Sequence, residues 1–136
     1  MYPAELVQPM IEDLTSAGFE ALHTKDDVAN TIKDGTALLV INSVCGCAAA
    51  NARPAAKLAV AHSVAPDKKL TVFAGVDREA TEAARELMLP FPPSSPCIAL
   101  FKDGQLVHML ERHHIEGRSA EIIAQNLKDA FEAHCS

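Results

Sequence analysis

Ala37-Leu38-Leu39-Val40-Ile41-Asn42-Ser43-Val44-Cys45-Gly46-Cys47-Ala48 decides how the rest of the chain is read. From Ala37 to Ile41 every residue is apolar and two are β-branched, the pattern of a strand covered on both faces. That strand, taken to run to Ser43, leads directly into two cysteines separated by one glycine. Beyond them, Ala48 to about Val64 is alanine-rich and carries Leu58, which favours helix, and Pro54 inside it predicts a kink through the loss of one backbone hydrogen bond. The dithiol is therefore expected at the turn from a buried strand into a helix.

Working outward, Leu6, Val7, Met10, Ile11 and Leu14 recur at helical spacing, and the helix should stop at Ala17-Gly18. Phe19 to Leu22 suits a short edge strand. Thr24 or Asp26 is expected to cap a second helix that reaches about Lys33 and closes at Gly35. After the long helix and a Pro66-Asp67 turn, Leu70 to Val76 reads as a second buried strand, Arg78 to Met88 as a helix and Cys97 to Phe101 as a third buried strand. Asp103-Gly104 is a hairpin signal leading into Leu106 to Leu110. Ser119 should cap a last helix with Ile122, Ile123, Leu127 and Phe131 on its inner stripe. Parallel crossovers early and a hairpin late point to an α/β fold, a central mixed sheet flanked by helices in the thioredoxin-like arrangement, over one domain spanning 1–136.

Composition narrows the chemistry. The 136 residues are 49% apolar and 22% charged, which suits a folded domain with an ordinary core. The twelve Lys and Arg are scattered through a chain of net charge −6, so no cationic stripe is available for nucleic acid. No apolar run is long enough to span a membrane, and Met1-Tyr2-Pro3-Ala4-Glu5 lacks the basic start of a secretion signal, so the cytoplasm is the expected location. In that compartment a cysteine pair is more often redox-active or metal-binding than a permanent cross-link.

At a strand-to-helix turn, unpaired backbone N–H groups and the helix dipole favour the thiolate, which is the nucleophilic form. Cys47 is close enough in sequence to bridge Cys45, with Gly46 easing the tight turn. The small ring predicts a strained bridge that is easily reduced. Elsewhere, Pro96 in Ser95-Pro96-Cys97-Ile98 opens a buried strand after a loop, which is where thioredoxin-like folds usually place a cis-proline facing the dithiol.

Asn42-Ser43-Val44-Cys45-Gly46-Cys47-Ala48-Ala49-Ala50-Asn51-Ala52-Arg53-Pro54, the Met1-Tyr2-Pro3 start and the Pro-rich approach to Pro96-Cys97 together resemble the bacilliredoxin family across essentially the whole chain. The resemblance implies a thiol–disulfide oxidoreductase that removes bacillithiol from mixed disulfides on client proteins. It makes Cys45 the attacking thiolate and Cys47 the resolving or bridging thiol. No bound cofactor is implied, bacillithiol being a co-substrate and the partners being bacillithiolated or oxidised proteins. Members have also been described as disulfide isomerases, so general isomerase or reductase activity is the alternative.

Three further positions are candidates for substrate binding: Pro96, Cys97 as a third thiol near Cys45, and Arg53 as a cation for the malate of bacillithiol. The adjacent His113 and His114 lie in an expected loop and, with Cys45 and Cys47, would supply zinc-type ligands, so a metal or iron–sulfur binder is a further alternative. Cys135, next to the C-terminal residue, needs no function.

Overall fold

The computed structural model describes residues 2–136. Its centre is a five-stranded sheet of order β1-β3-β2-β4-β5, built from β1 (Glu20–Ala21), β2 (Thr36–Asn42), β3 (Lys68–Phe73), β4 (Cys97–Lys102) and β5 (Gln105–Leu110). β2 runs parallel to β3, and β3 to β1, while β4 is antiparallel to both β2 and β5. The helices are α1 (Ala4–Thr15), α2 (Lys25–Ile32), α3 (Arg53–Val60), α4 (Arg78–Leu87), α5 (Arg112–Ile115) and α6 (Ala120–His134).

All seven residues of β2 are buried, as its unbroken apolar run requires of a central strand. Its side chains alternate between two cores. Leu38 and Val40 join Ile98 and Leu100 beneath α3 and α6, where Ala52, Ala55, Ala56 and Ala59 allow close approach to Ile123, Leu127 and Phe131. Leu39 and Ile41 face the other way, onto Val28 and Ile32 of α2 and Ala80 and Ala84 of α4. The resulting layers, helix on sheet on helix, are those expected of the α/β class.

Local chemistry explains where the elements begin and end. Thr24, rather than Asp26, caps α2: it accepts from the Asp27 N–H while the Asp27 carboxylate accepts from the Thr24 N–H. Asp103 and Gly104 both have positive φ, 51° and 83°, which matches the twist that a two-residue hairpin turn needs. The long helix after the dithiol is not continuous. A π-helical segment, Ala48–Ala52, comes first, so that Pro54 falls in the first turn of α3, where its missing N–H costs little. Instead of running to Val64, α3 ends at Val60. Val64 then packs onto the core from a loop, which is tied to β2 by reciprocal hydrogen bonds between Thr36 and Asp67. β3 stops at Phe73, whose N–H donates to the Asp77 carboxylate.

Two further expectations need correction. Ile122 is 62% exposed and is not on the inner stripe of α6, because that stripe follows Ile123, Ala124, Leu127, Ala130 and Phe131, and position 122 is rotated away from it. His113 and His114 lie in the short helix α5, not in a loop. α5 is stabilised at its start by the Glu111 side chain and by His114 Nδ1, which accepts from the Glu111 N–H at 3.0 Å.

Candidate active site

Strand register brings three segments to one edge of the sheet. Ile41 of β2 pairs with Cys97 at the start of β4, and Ile98 pairs with Leu110 at the end of β5. The turn after β2, the loop before β4 and the start of α5 therefore meet at this edge. They contribute Cys45 and Cys47, Ser94 to Pro96, and Arg112.

The approach to Cys45 is held from beneath. Asn42 is buried; its Oδ1 accepts from the Ser43 N–H at 2.9 Å and from Arg53 Nη1 at 2.9 Å, while its Nδ2 donates to the Met10 carbonyl at 3.0 Å. Arg53 Nη1 also donates to the Ser43 carbonyl at 3.2 Å, and Ser43 Oγ accepts from the Cys45 N–H at 3.2 Å. Arg53 Nε reaches Asp13 Oδ2 at 3.2 Å, and Lys57 Nζ reaches Asp13 Oδ1 at 2.6 Å. Although partial burial pulls the Asp13 carboxyl upward, Lys57 and Arg53 together hold it below its usual range. Arg53 is thus a buried side chain whose guanidinium is committed to internal partners.

Cys45 and Cys47 are both free and half-buried, with their Sγ atoms 2.8 Å apart. The two thiols are not equivalent. The Cys47 side chain and its N–H stabilise the charged form of Cys45, pulling its pKa down, and the nearby Arg112 charge acts in the same direction. Desolvation pushes Cys47 up, and so does the negative charge that settles on Cys45. Ala48 and Ala49 N–H donate to the Cys45 carbonyl, which anchors the turn to the following helix. Gly46 is exposed, a Cβ added to it would meet no atom within 4 Å beyond its neighbours Cys45 and Cys47, and its backbone is not left-handed, so neither the rest of the fold nor φ demands glycine there.

The loop before β4 carries the Ser95-Pro96 bond in the cis form, with Pro96 buried; Leu89-Pro90, for which the sequence holds no comparable signal, is also cis. Cys97 is 1% exposed, and burial pushes its thiol up to about 12, so it stays protonated beneath the sheet edge. Among the described residues, the donors that come within reach of a common metal ion are Glu111, His113 and His114; the group includes neither Cys45 nor Cys47.

Arg112 belongs to no motif in the sequence and emerges only from the structure. Its N–H donates to Ser94 Oγ and its Nη1 to the Ser95 carbonyl, both at 3.3 Å, and its Nε lies 3.5 Å from Glu116. It stands close enough to both cysteines for their charges to strengthen its hold on its proton. The available signal was positional: Arg112 follows β5 by two residues, and the hairpin returns β5 to the edge that carries Cys45.

A mixed sheet with a paired-thiol turn at its edge defines a thioredoxin-fold thiol–disulfide oxidoreductase. The fold overlays on the thioredoxin Mala s 13 of Malassezia sympodialis with a TM-score of 0.58 at 17% identity, covering 88% of this chain and 92% of that one. A sequence model of the family described as Disulphide isomerase matches residues 2–135. A bacilliredoxin of Cytophaga hutchinsonii is 57% identical over 133 residues, 97% of this chain and 98% of that protein, and one of Salinibacter ruber is 56% identical, covering 98% of this chain and 81% of that protein. The chain belongs to the bacilliredoxin family.

Proposed function

We propose that this oxidoreductase removes bacillithiol from mixed disulfides on client proteins, with Cys45 as the acceptor and Cys47 as the resolving thiol. The observation that carries the assignment is the asymmetry of the pair: Cys45 is the more acidic thiol, and Cys47 Sγ waits 2.8 Å away. In the first step the Cys45 thiolate attacks the bacillithiol sulfur. The client–bacillithiol S–S bond breaks, the client cysteine leaves as thiolate, and a Cys45–bacillithiol disulfide forms. The proton of Cys47 passes to solvent, and its thiolate then attacks Cys45 Sγ. Bacillithiol leaves as thiolate and a Cys45–Cys47 bridge remains, for an external dithiol or further small thiol to reduce.

Pro96 and Cys97 form the wall beside this site in the proposal. Pro96 shapes the surface against which the client lies, and Cys97 supports it from below as a neutral thiol. The test is release of free client thiol from a bacillithiolated protein, followed with catalytic amounts of the native chain and of Cys45→Ala, with a dithiol supplied to reduce the Cys45–Cys47 bridge after each cycle and the release it causes without the chain subtracted. Turnover by the first and none by the second is expected. Equal rates would overturn the role of Cys45, and rescue of scrambled disulfides with no activity on the bacillithiolated client would replace this reading with general isomerase activity.

A further inference from the structure

The cation that a carboxylate-bearing thiol would need is not Arg53, whose guanidinium is buried against Asp13, Asn42 and Ser43. Arg118 is also engaged, its Nη1 donating to the His113 and His114 carbonyls at the end of α5. Arg112 differs from both. Its side chain is 44% exposed, yet it is fixed in place from two sides, by the Ser95 carbonyl on the loop before β4 and by Glu116 one helical turn on.

A guanidinium carries five N–H donors in one plane. In Arg112, Nη1 donates to the Ser95 carbonyl and Nε lies 3.5 Å from a Glu116 carboxylate oxygen. Nη2 makes no hydrogen bond among the described residues, so its N–H donors are available to a carboxylate, for which a guanidinium is a strong charge-assisted partner. A half-exposed, already ordered arginine loses little side-chain freedom when a ligand arrives, because its partners have removed that freedom beforehand.

We propose that Arg112 is the specificity-determining residue of the site, receiving a carboxylate of the small thiol while that thiol is joined to, or being displaced from, Cys45. The inference rests on the reading that Cys45 accepts a small thiol, and it adds the chemical class: acidic thiols over neutral or cationic ones. Glu116 works against the same carboxylate. It partly neutralises Arg112, so the native preference is moderate and should rise when Glu116 loses its charge.

The test uses alkylation of Cys45 in the full chain carrying Cys47→Ser, with iodoacetate and iodoacetamide as probes. In each reaction the thiolate sulfur bonds to the CH2 carbon and iodide leaves; the probes differ in having a carboxylate or a neutral amide. Arg112→Gln is expected to lower the iodoacetate-to-iodoacetamide rate ratio by up to about fivefold, the range open to a solvent-accessible charge pair. Arg112→Lys should recover part of the ratio and Glu116→Gln should raise it. The native preference should also weaken in ~1 M salt, where the screening length is only about 3 Å. An unchanged ratio in Arg112→Gln, or equal slowing with both reagents, would overturn the subsite, since a role confined to stabilising the thiolate slows both alike. Neither probe involves bacillithiol or a client. Failure of dethiolation with the ratio effect intact would therefore count against the proposed function and leave the carboxylate subsite standing.

Discussion

Arg53 Nη1 lies 2.9 Å from Asn42 Oδ1 and ties the first turn of α3 to the last residue of β2, directly beneath the turn that carries Cys45. The same nitrogen holds the Ser43 carbonyl, and Ser43 Oγ holds the Cys45 N–H. Arg53 therefore acts on the nucleophile through two residues, as a positioning residue. Arg53→Met should cost about 2 kcal/mol of stability, because it strips charged hydrogen bonds from buried partners. Urea unfolding measures this, and Arg53→Lys should recover only part of it, since one ammonium cannot serve Asp13, Asn42 and Ser43 together.

Asp13 gives the clamp a pH dependence. Its carboxyl is held below the ordinary value of 3.8 in the folded chain, so the unfolded chain takes up the proton first as pH falls. The contribution is complete above the unfolded value and is lost as pH drops below about 4 and through the folded one. Asp13→Asn should flatten the stability profile in that acid window and leave its shape between pH 6 and 8 unchanged, as followed by thermal melts in a pH series.

Cys45 should alkylate as an acidic thiol, with a pH midpoint below that of an ordinary cysteine. The Cys47 side chain is the principal cause, so Cys47→Ala should raise the midpoint more than Cys47→Ser, whose hydroxyl can still donate. Rates of iodoacetamide modification between pH 5 and 10 would check both the position and the order. Equal midpoints in the two variants would mean that the backbone and Arg112 alone set the acidity.

Gly46→Ala should leave stability within about 0.5 kcal/mol of the native chain, as for a surface change without a strained backbone. Beyond the flanking Cys45 and Cys47, a Cβ there meets nothing within 4 Å. It would nonetheless add a side chain on exposed backbone between the two cysteines, where a bulky client disulfide must approach, so turnover should fall more for a protein disulfide than for a small one. Comparing the two substrates separates access from folding.

Cys97 should resist alkylation in the folded chain and react only on unfolding, being buried and protonated at neutral pH. Cys97→Ala should cost about 1 kcal/mol by leaving a small cavity. Because the proposed transfer uses Cys45 and Cys47 alone, dethiolation should continue. Loss of turnover in a folded Cys97→Ala chain would bring this thiol into the reaction.

How legible the architecture is depends on what each residue must satisfy. Leu38 to Ile41 announce a central strand because both faces are apolar, and Asp103-Gly104 announces its turn because few residues accept two positive φ values in succession. Ile122 misleads because one position on a helix rotates a side chain by about 100°, and composition alone does not choose among neighbouring apolar residues. The break after Cys47 is hidden for a different reason: Ala48 to Ala52 suit both α and π geometry, and the choice moves Pro54 from a helix interior to a helix start.

At the site, the Cys-Gly-Cys spacing places the thiols in one turn without help from tertiary structure. Arg53 and Arg112 exchange the parts that sequence distance suggests. Arg53, six residues after Cys47, lies below the turn because α3 presents that face to α1 and β2. Arg112, sixty-five residues after Cys47, stands beside it because the β4–β5 hairpin brings the chain back to the same edge.

Transfer of the small thiol to Cys45 is tested most directly by the intact mass and peptide map of Cys47→Ser after incubation with a bacillithiolated client. With the resolving thiol gone, the expected product is a stable adduct of one bacillithiol per chain, released by reductant and located on the peptide that contains Cys45. An adduct on Cys97 or Cys135, or a cross-link to the client protein in place of bacillithiol, would contradict that transfer.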